Sequence, residues 1–267
     1  MTHSMLLCPP DHFEIEYVIN PWMDLGVRVD RAAAHEQWQA LRTKLEDLGV
    51  RVEVIAPQPG LPDMVFTGDG GAVYGRMFIC SRFRHPERQP EAGHFRRWFE
   101  EHGYDIRFLP DDVVFEGLGD VSINSGVGVA AYGPRTSEGA LPYIKELFSE
   151  VDWIASLELV DPRFFHIGVS LALLDERTGI YVPDAFSADS RRRIEKLPHD
   201  MIPVSDEDAV GFAVNAVVVG RDLVVHYCSP GLRRSLESRG FRVHVVDVSE
   251  FLKSGGGTRC LVLPLTY

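Results

Sequence analysis

Apolar positions along the chain fall into a pattern that repeats. Ala34, Trp38, Leu41, Leu45 and Leu48 recur at steps of four and three, which predicts an amphipathic helix over Ala32 to Leu48. Gly49 stops it, and Val50, Val52 and Val54 then alternate with Arg51 and Glu53, the period of a half-buried strand that Pro57 closes. The same punctuation returns after the amphipathic stretch Phe95 to Glu101, where Gly103 precedes a short strand through Phe108 and Pro110 closes it. It returns again where Leu232 to Arg239 reads as helix, Gly240 caps it, and Phe241, Val243 and Val245 alternate. Less regular copies lie around Tyr143 to Leu159 and Ser187 to Val204. Five units of about 50 residues result, a period typical of repeated supersecondary structure.

Each unit continues into an apolar segment that carries a conspicuous polar residue: Asp69, Glu116 with Asp120, His166, Asn215 and Cys260. Five units closed in a ring would bring these residues together on the axis. Carboxylates, an imidazole and a thiol in one place have the composition of an active site. Glycines 255 to 257 deliver Cys260 to the start of an apolar strand, and His166 is read within another. Glu116, in a different unit, is available to orient the imidazole, as acidic partners do in Cys/His systems. Asp120 is available for a cation. Asp63 and Asp69 flank an apolar stretch, and converging carboxylates suit a planar guanidinium. The ordinary alternative for Asp69 is a turn residue before Gly70 and Gly71.

Composition narrows the class. The 267 residues hold 45 % hydrophobic and 25 % charged residues, the balance of a globular protein, and a single domain over 1–267 is expected. The formal charge of -12 opposes nonspecific binding to nucleic acid or anionic lipid. No apolar run reaches the roughly 18 residues a membrane helix needs, so a cytoplasmic protein without a membrane partner is expected. The four cysteines form no C-x-x-C pair. The stretch Gly126 to Ala131 matches a dinucleotide-binding pattern, but Tyr132, Gly133 and Pro134 follow where a helix should begin. Neither a metal nor an organic cofactor is expected.

These stretches together resemble the guanidine-modifying superfamily, or penteins, which includes dimethylarginine dimethylaminohydrolases, arginine deiminases and amidinotransferases. The resemblance runs from Cys8 to Phe13 and Val18 to Met23, through Phe83 to Arg88, Phe115 to Asp120 and Leu159 to His166, to glycines 255 to 257 with Cys260. It implies an α/β fold, a five-fold pseudosymmetric propeller of ββαβ units around a central active site. It further implies Cys260 as nucleophile, His166 as general acid and base, Glu116 orienting the histidine, and Asp69 and Asp120 holding the guanidinium. Arg88 and Arg135 match positions that grip the amino acid carboxylate in dimethylarginine hydrolases. Asp63 is carried as a further substrate contact.

The implied reaction is cleavage of a guanidinium C–N bond of a small guanidino amino acid through a covalent thiouronium intermediate, giving citrulline and an amine. Two positions depart from the family pattern. Many relatives carry H-L-D-T where this chain has His166, Ile167, Gly168 and Val169, and many with the Asn20 to Met23 opening carry Asn at the position of Asp69. Dimethylarginine hydrolysis is the first reading; arginine deiminase or dihydrolase activity, amidinotransfer, and a non-catalytic binding propeller are the alternatives. The sequence leaves the oligomeric state open, with a homodimer as one option.

Overall fold

The described residues form five three-stranded sheets, and the conspicuous polar residues of the five units lie in or beside turns that precede the first strands of those sheets. The computed structural model describes residues 4–265. The chain opens with β1 (Ser4–Leu7), α1 (Arg31–Asp47) and β2 (Arg51–Val54). The complete ββαβ units follow in order. They are β3 (Gly71–Tyr74), β4 (Met77–Cys80), α2 (Glu91–Glu101) and β5 (Asp105–Arg107), then β6 (Val121–Asn124), β7 (Val127–Tyr132), α3 (Leu141–Leu147) and β8 (Asp152–Glu158). The next is β9 (Leu171–Leu173), β10 (Thr178–Tyr181), α4 (Ala188–Ile194) and β11 (Asp200–Pro203). After a connecting helix α5 (Asp206–Val210) come β12 (Val217–Val219), β13 (Asp222–Val225), α6 (Pro230–Glu237) and β14 (Arg242–Val245). Past α7 (Ser249–Leu252), the last strand β15 (Leu263–Pro264) pairs antiparallel with β1, so both ends of the chain build the fifth unit and close the ring.

Within every sheet the first strand runs antiparallel to the second and the second parallel to the third. The third strand is therefore an edge, which explains why β2 and β14 depart from the expected half-burial. Val50 is buried, but Val54 and Val245 are exposed. The helices follow their local chemistry. Asp30 caps α1 by accepting from the Ala33 amide, and Ala34, Trp38, Leu41 and Leu45 form its buried face. Gly49, Gly103 and Gly240 end three equivalent helices with φ of 83°, 73° and 84°, a left-handed turn that side chains resist. The decoy dinucleotide pattern lies on the β6–β7 hairpin.

His166 and Cys260 are not in strands. His166 precedes a 3-10 turn over Ile167–Val169, and Cys260 sits in a turn before β15. Asp69 lies in the 3-10 turn Thr67–Gly70, while Glu116 and Asp120 bracket the turn Gly117–Gly119. Asn215 likewise precedes β12 at the end of a run of turns. A strand alternates its side chains between two faces, both covered here, whereas a tight turn at the inner end of the strand can aim one side chain along the axis.

Candidate active site

The turns that precede the first strands converge on one pocket. Asp63, Asp69, Arg88, Arg135, His166 and Cys260 line it, with Asn20, Phe165 and Ser254 among the others, and it leaves solvent about 10 Å³, room for one water at most. None of these six is more than 7 % exposed. The segment from Tyr17 to Met23 covers it, anchored where Asn20 Nδ2 donates to Ser254 O (3.0 Å) and Trp22 Nε1 donates to Arg163 O (2.7 Å).

Ion pairs organise the walls. Arg88 donates from Nε and Nη2 to both oxygens of Glu91 (3.0 and 2.9 Å), from Nη1 to Asp69 Oδ2 (2.7 Å) and from Nη2 to Asp63 O (3.2 Å). Arg135 donates to Glu116 Oε2 (2.9 Å) and Ile19 O (3.1 Å), and its guanidinium lies 4.6 Å from the centre of the Phe165 ring. Glu116 also accepts the Arg84 amide (2.9 Å). Tyr17 donates its hydroxyl to Asp63 Oδ2 (2.9 Å).

Carboxylates flank the imidazole on both sides. His166 Nδ1 is 3.2 Å from Asp120 Oδ2, and Nε2 is 3.5 Å from Glu116 Oε2 and 3.8 Å from Asp69 Oδ1. Asp120 lies on the Nδ1 side of the ring, accepts the amides of Thr136 and Ile167, and is not among the residues that line the pocket. Asn215 braces the thiol. Its Nδ2 donates to Cys260 Sγ (3.3 Å) and Gly168 O (2.7 Å), while its Oδ1 accepts the amides of Arg259 and Cys260 (3.0 and 3.4 Å).

Burial dominates the titration of these groups. It pushes the Cys260 thiol up to about 12, and the Asp69 charge adds to the effect. For His166, burial works against the cation, but Asp120, Asp69 and Glu116 outweigh it and hold the ring above its ordinary 6.5. Burial also pushes Glu116 upward, yet Arg135, His166 and Arg88 prevail and bring it to about 2. Asp63 is raised by burial despite Arg88, and Glu91 is raised to about 7 for the same reason. Asp63 Oδ1, Asp69 Oδ1 and the Ser254 hydroxyl are buried without a hydrogen-bond partner, and the nitrogens of His166 have only the carboxylates 3.2 to 3.8 Å away. All four residues line this pocket. Orphaned polar atoms are costly, so their convergence marks a place where a ligand completes the network.

Tyr17, Glu91, Phe165 and Ser254 complete the site but were not singled out from the sequence. Glu91 was legible as a partner three residues beyond Arg88 at a helix start. The others become visible only when loops from different units meet.

The family model described as N,N dimethylarginine dimethylhydrolase, eukaryotic, matches residues 13–267. The chain belongs to this dimethylarginine dimethylaminohydrolase family, whose members named below are hydrolases of amidine C–N bonds. Among its relatives, the bifunctional arginine dihydrolase/ornithine cyclodeaminase ArgZ of Synechocystis is 41 % identical over 268 residues, 98 % of this chain and 37 % of ArgZ. This chain therefore spans little more than a third of that relative. The N(G),N(G)-dimethylarginine dimethylaminohydrolase of Mycobacterium tuberculosis is 38 % identical over 264 residues, 99 % of this chain and 86 % of that protein. The crystal structure of the N-terminal domain of ArgZ, an arginine dihydrolase from cyanobacteria, bound to substrate, superposes with a TM-score of 0.94 at 38 % identity, covering 99 % of this chain and 98 % of that one. A dimethylarginine dimethylaminohydrolase adduct, at 19 % identity and a TM-score of 0.79 over 99 % of this chain and all of that one, shares the five-unit propeller fold. No helix of the described residues is long and apolar enough to cross a membrane.

Proposed function

We propose that the chain hydrolyses a guanidinium C–N bond of an arginine derivative, with Cys260 as nucleophile and His166 as acid and base. One observation carries this reading: two buried carboxylate oxygens, Asp63 Oδ1 and Asp69 Oδ1, have no hydrogen-bond partner on residues that line the pocket beside the thiol. A guanidinium, planar and rich in donors, fits that vacancy of charge and hydrogen bonds.

A bound cation also activates the thiol. The Asp69 charge helps keep Cys260 protonated, so a guanidinium over Asp69 offsets it, and the thiol proton passes to bulk water as the thiolate forms. Sulfur then bonds to the guanidinium carbon. The C–N bond breaks as the His166 imidazolium protonates the leaving nitrogen, and an amine departs from a thiouronium intermediate. Neutral His166 next takes a proton from water as its oxygen bonds to that carbon. The C–S bond breaks as the added hydroxyl gives its remaining proton to solvent, releasing the ureido product and the thiolate. Asp120 on Nδ1 and Glu116 near Nε2 favour the protonated ring before the first step and after the second.

Arg135 is the better placed of the two arginines for a substrate carboxylate. Among the described residues its partners use two of the five N–H donors a guanidinium has, whereas four of the five on Arg88 are engaged. A free amino acid follows, and dimethylarginine giving citrulline and an amine is the first candidate. Arginine dihydrolysis is the second reading, supported by the 41 % identity to ArgZ. Incubating the wild type and Cys260→Ser with arginine, its N-methylated forms, agmatine and guanidino acids, and assaying ureido product and released amine, tests both. The wild type alone should form product, and the best substrate names the activity; no turnover by either protein removes the hydrolase reading.

A further inference from the structure

A second void touches the reaction centre from the opposite end of the axis. It measures about 500 Å³ and opens among the far ends of the first strands, at Asn124, Asp175 and Gly220, whereas the site pocket lies at their near ends. Asp69 and Cys260 belong to the walls of both. What separates the two is a collar of turns that includes Gly68, Gly119 and Gly168.

The three glycines differ in the room they leave. A Cβ on Gly119 would lie 2.7 Å from His166 Nδ1 and 2.9 Å from Asp69 Oδ1, and one on Gly68 would lie 3.1 Å from Val262 O. At Gly168 the nearest atom, Gly119 O, is 3.6 Å away, and the backbone there has no left-handed φ that would exclude a side chain. Gly168 faces the axial cavity and is not part of the site pocket. Its carbonyl is held by the same Asn215 amide that contacts Cys260 Sγ, so the gap it leaves adjoins the nucleophile.

We propose that the axial cavity is a subsite for a neutral substituent on the guanidine nitrogen that leaves, reached past Gly168, so that substituents larger than methyl are accepted. This inference rests on the hydrolase reading above and names its substrate class. The C–N bond to the substituted nitrogen breaks, that nitrogen takes the His166 proton, and the amine carrying the substituent departs. The wall is mostly apolar beyond the gap, with Leu118, Ala172 and Val217 among its residues. Such a wall costs a charged tail its hydration; Arg259 lies in it, Nη2 donating to Val121 O (2.9 Å) and Nε 3.8 Å from the Gly168 Cβ position, as do Asp69 and Asp175.

The test measures kcat/KM for arginines bearing methyl, ethyl, n-propyl or 3-aminopropyl on a terminal nitrogen, with the wild type, Gly168→Ala and Gly168→Val. Ureido product and free amine are both assayed. For the wild type, kcat/KM rises with each added methylene, by up to about fourfold where that group is fully buried, and the 3-aminopropyl compound is about tenfold or more poorer than n-propyl. Gly168→Val lowers n-propyl turnover about tenfold or more while methyl turnover stays within about threefold, and Gly168→Ala, unstrained, gives a smaller change in the same direction. A wild type that converts the methyl compound but rejects n-propyl overturns the subsite alone. So does a Gly168→Val enzyme whose methyl and n-propyl rates fall equally or not at all. A wild type that converts none of the compounds removes the hydrolase reading and the subsite with it.

Discussion

Replacing Arg135 with Met tests whether the buried ion pair with Glu116 holds the site in its charged form. Both side chains are at most 2 % exposed, and the pair is 2.9 Å apart. Removing one member of such a pair leaves an uncompensated buried charge and costs about 3–5 kcal/mol. For a chain of this size each kcal/mol lowers Tm by roughly 2–4 °C, so a fall of about 10 °C is expected near pH 7. The loss should depend on pH in a defined direction. In the wild type, Glu116 sits at about 2 against an ordinary 4.5, so its stabilising contribution is present above 4.5 and lost as pH falls toward 2. Without Arg135, His166, Arg88 and the Arg84 amide alone oppose burial, so Glu116 rises from about 2 and its stabilising contribution above pH 4.5 shrinks. The gap between the two proteins is therefore widest near neutrality and closes in acid. Adding Glu116→Gln to Arg135→Met should then cost less in thermal melts than Glu116→Gln costs the wild type. The reasoning fails if Arg135→Met costs less than about 1 kcal/mol, the value of an exposed pair such as Arg192 with Asp189, or if Glu116→Gln costs the same in both backgrounds.

Two further outcomes are expected. Asn215→Ala removes the donor to Cys260 Sγ and the acceptor for the Cys260 amide, so kcat should fall about 10- to 100-fold. The pH profile of Cys260 alkylation should move upward; an unchanged profile would mean that the amide does not stabilise the thiolate. In acid, the wild type should lose roughly 3 kcal/mol more stability between pH 4.5 and 2 than Glu116→Gln does, read from denaturant melts across that range. Parallel losses in the two proteins would show that Glu116 is not held in its charged form.

The periodic parts of the fold were legible because one local rule repeats. Glycine after an amphipathic helix, then a short alternating strand, locates α1, α2 and α6 and the strands after them, since left-handed φ at the helix end is a property of one residue. Closure of the ring by β15 and β1 was not legible, because a two-residue strand at one end of the chain has no period to read. The polar residue of each unit was found, but not its aim. Asp120 and Asp69 look alike in sequence, yet Asp120, just past the turn Gly117–Gly119, lies on the Nδ1 side of the imidazole, and Asp69, in the turn Thr67–Gly70, is in the pocket wall. Gly168 carries the same lesson, since only the packing of Gly119 and Arg259 around it determines which void it faces.

The charges of the site explain why binding and activation belong together. Five carboxylates, Asp63, Asp69, Glu91, Glu116 and Asp120, stand against Arg88, Arg135 and the imidazolium of His166. The pairings are specific: Arg135 serves Glu116, His166 lies against Asp120, and Arg88 is shared by Asp69 and Glu91. The shortage of positive charge appears where burial raises Asp63 and Glu91, which take up protons more readily than exposed acids do. It appears again at the unpartnered oxygens of Asp63 and Asp69. A neutral donor would satisfy the hydrogen bonds of those oxygens but not their charge, an anion neither, and only a cation with several donors satisfies both at once. Asp69, the carboxylate such a cation would cover, is also the charge that helps keep the Cys260 thiol protonated. Under the proposed mechanism, the site holds its nucleophile inactive until the group it attacks supplies the missing charge.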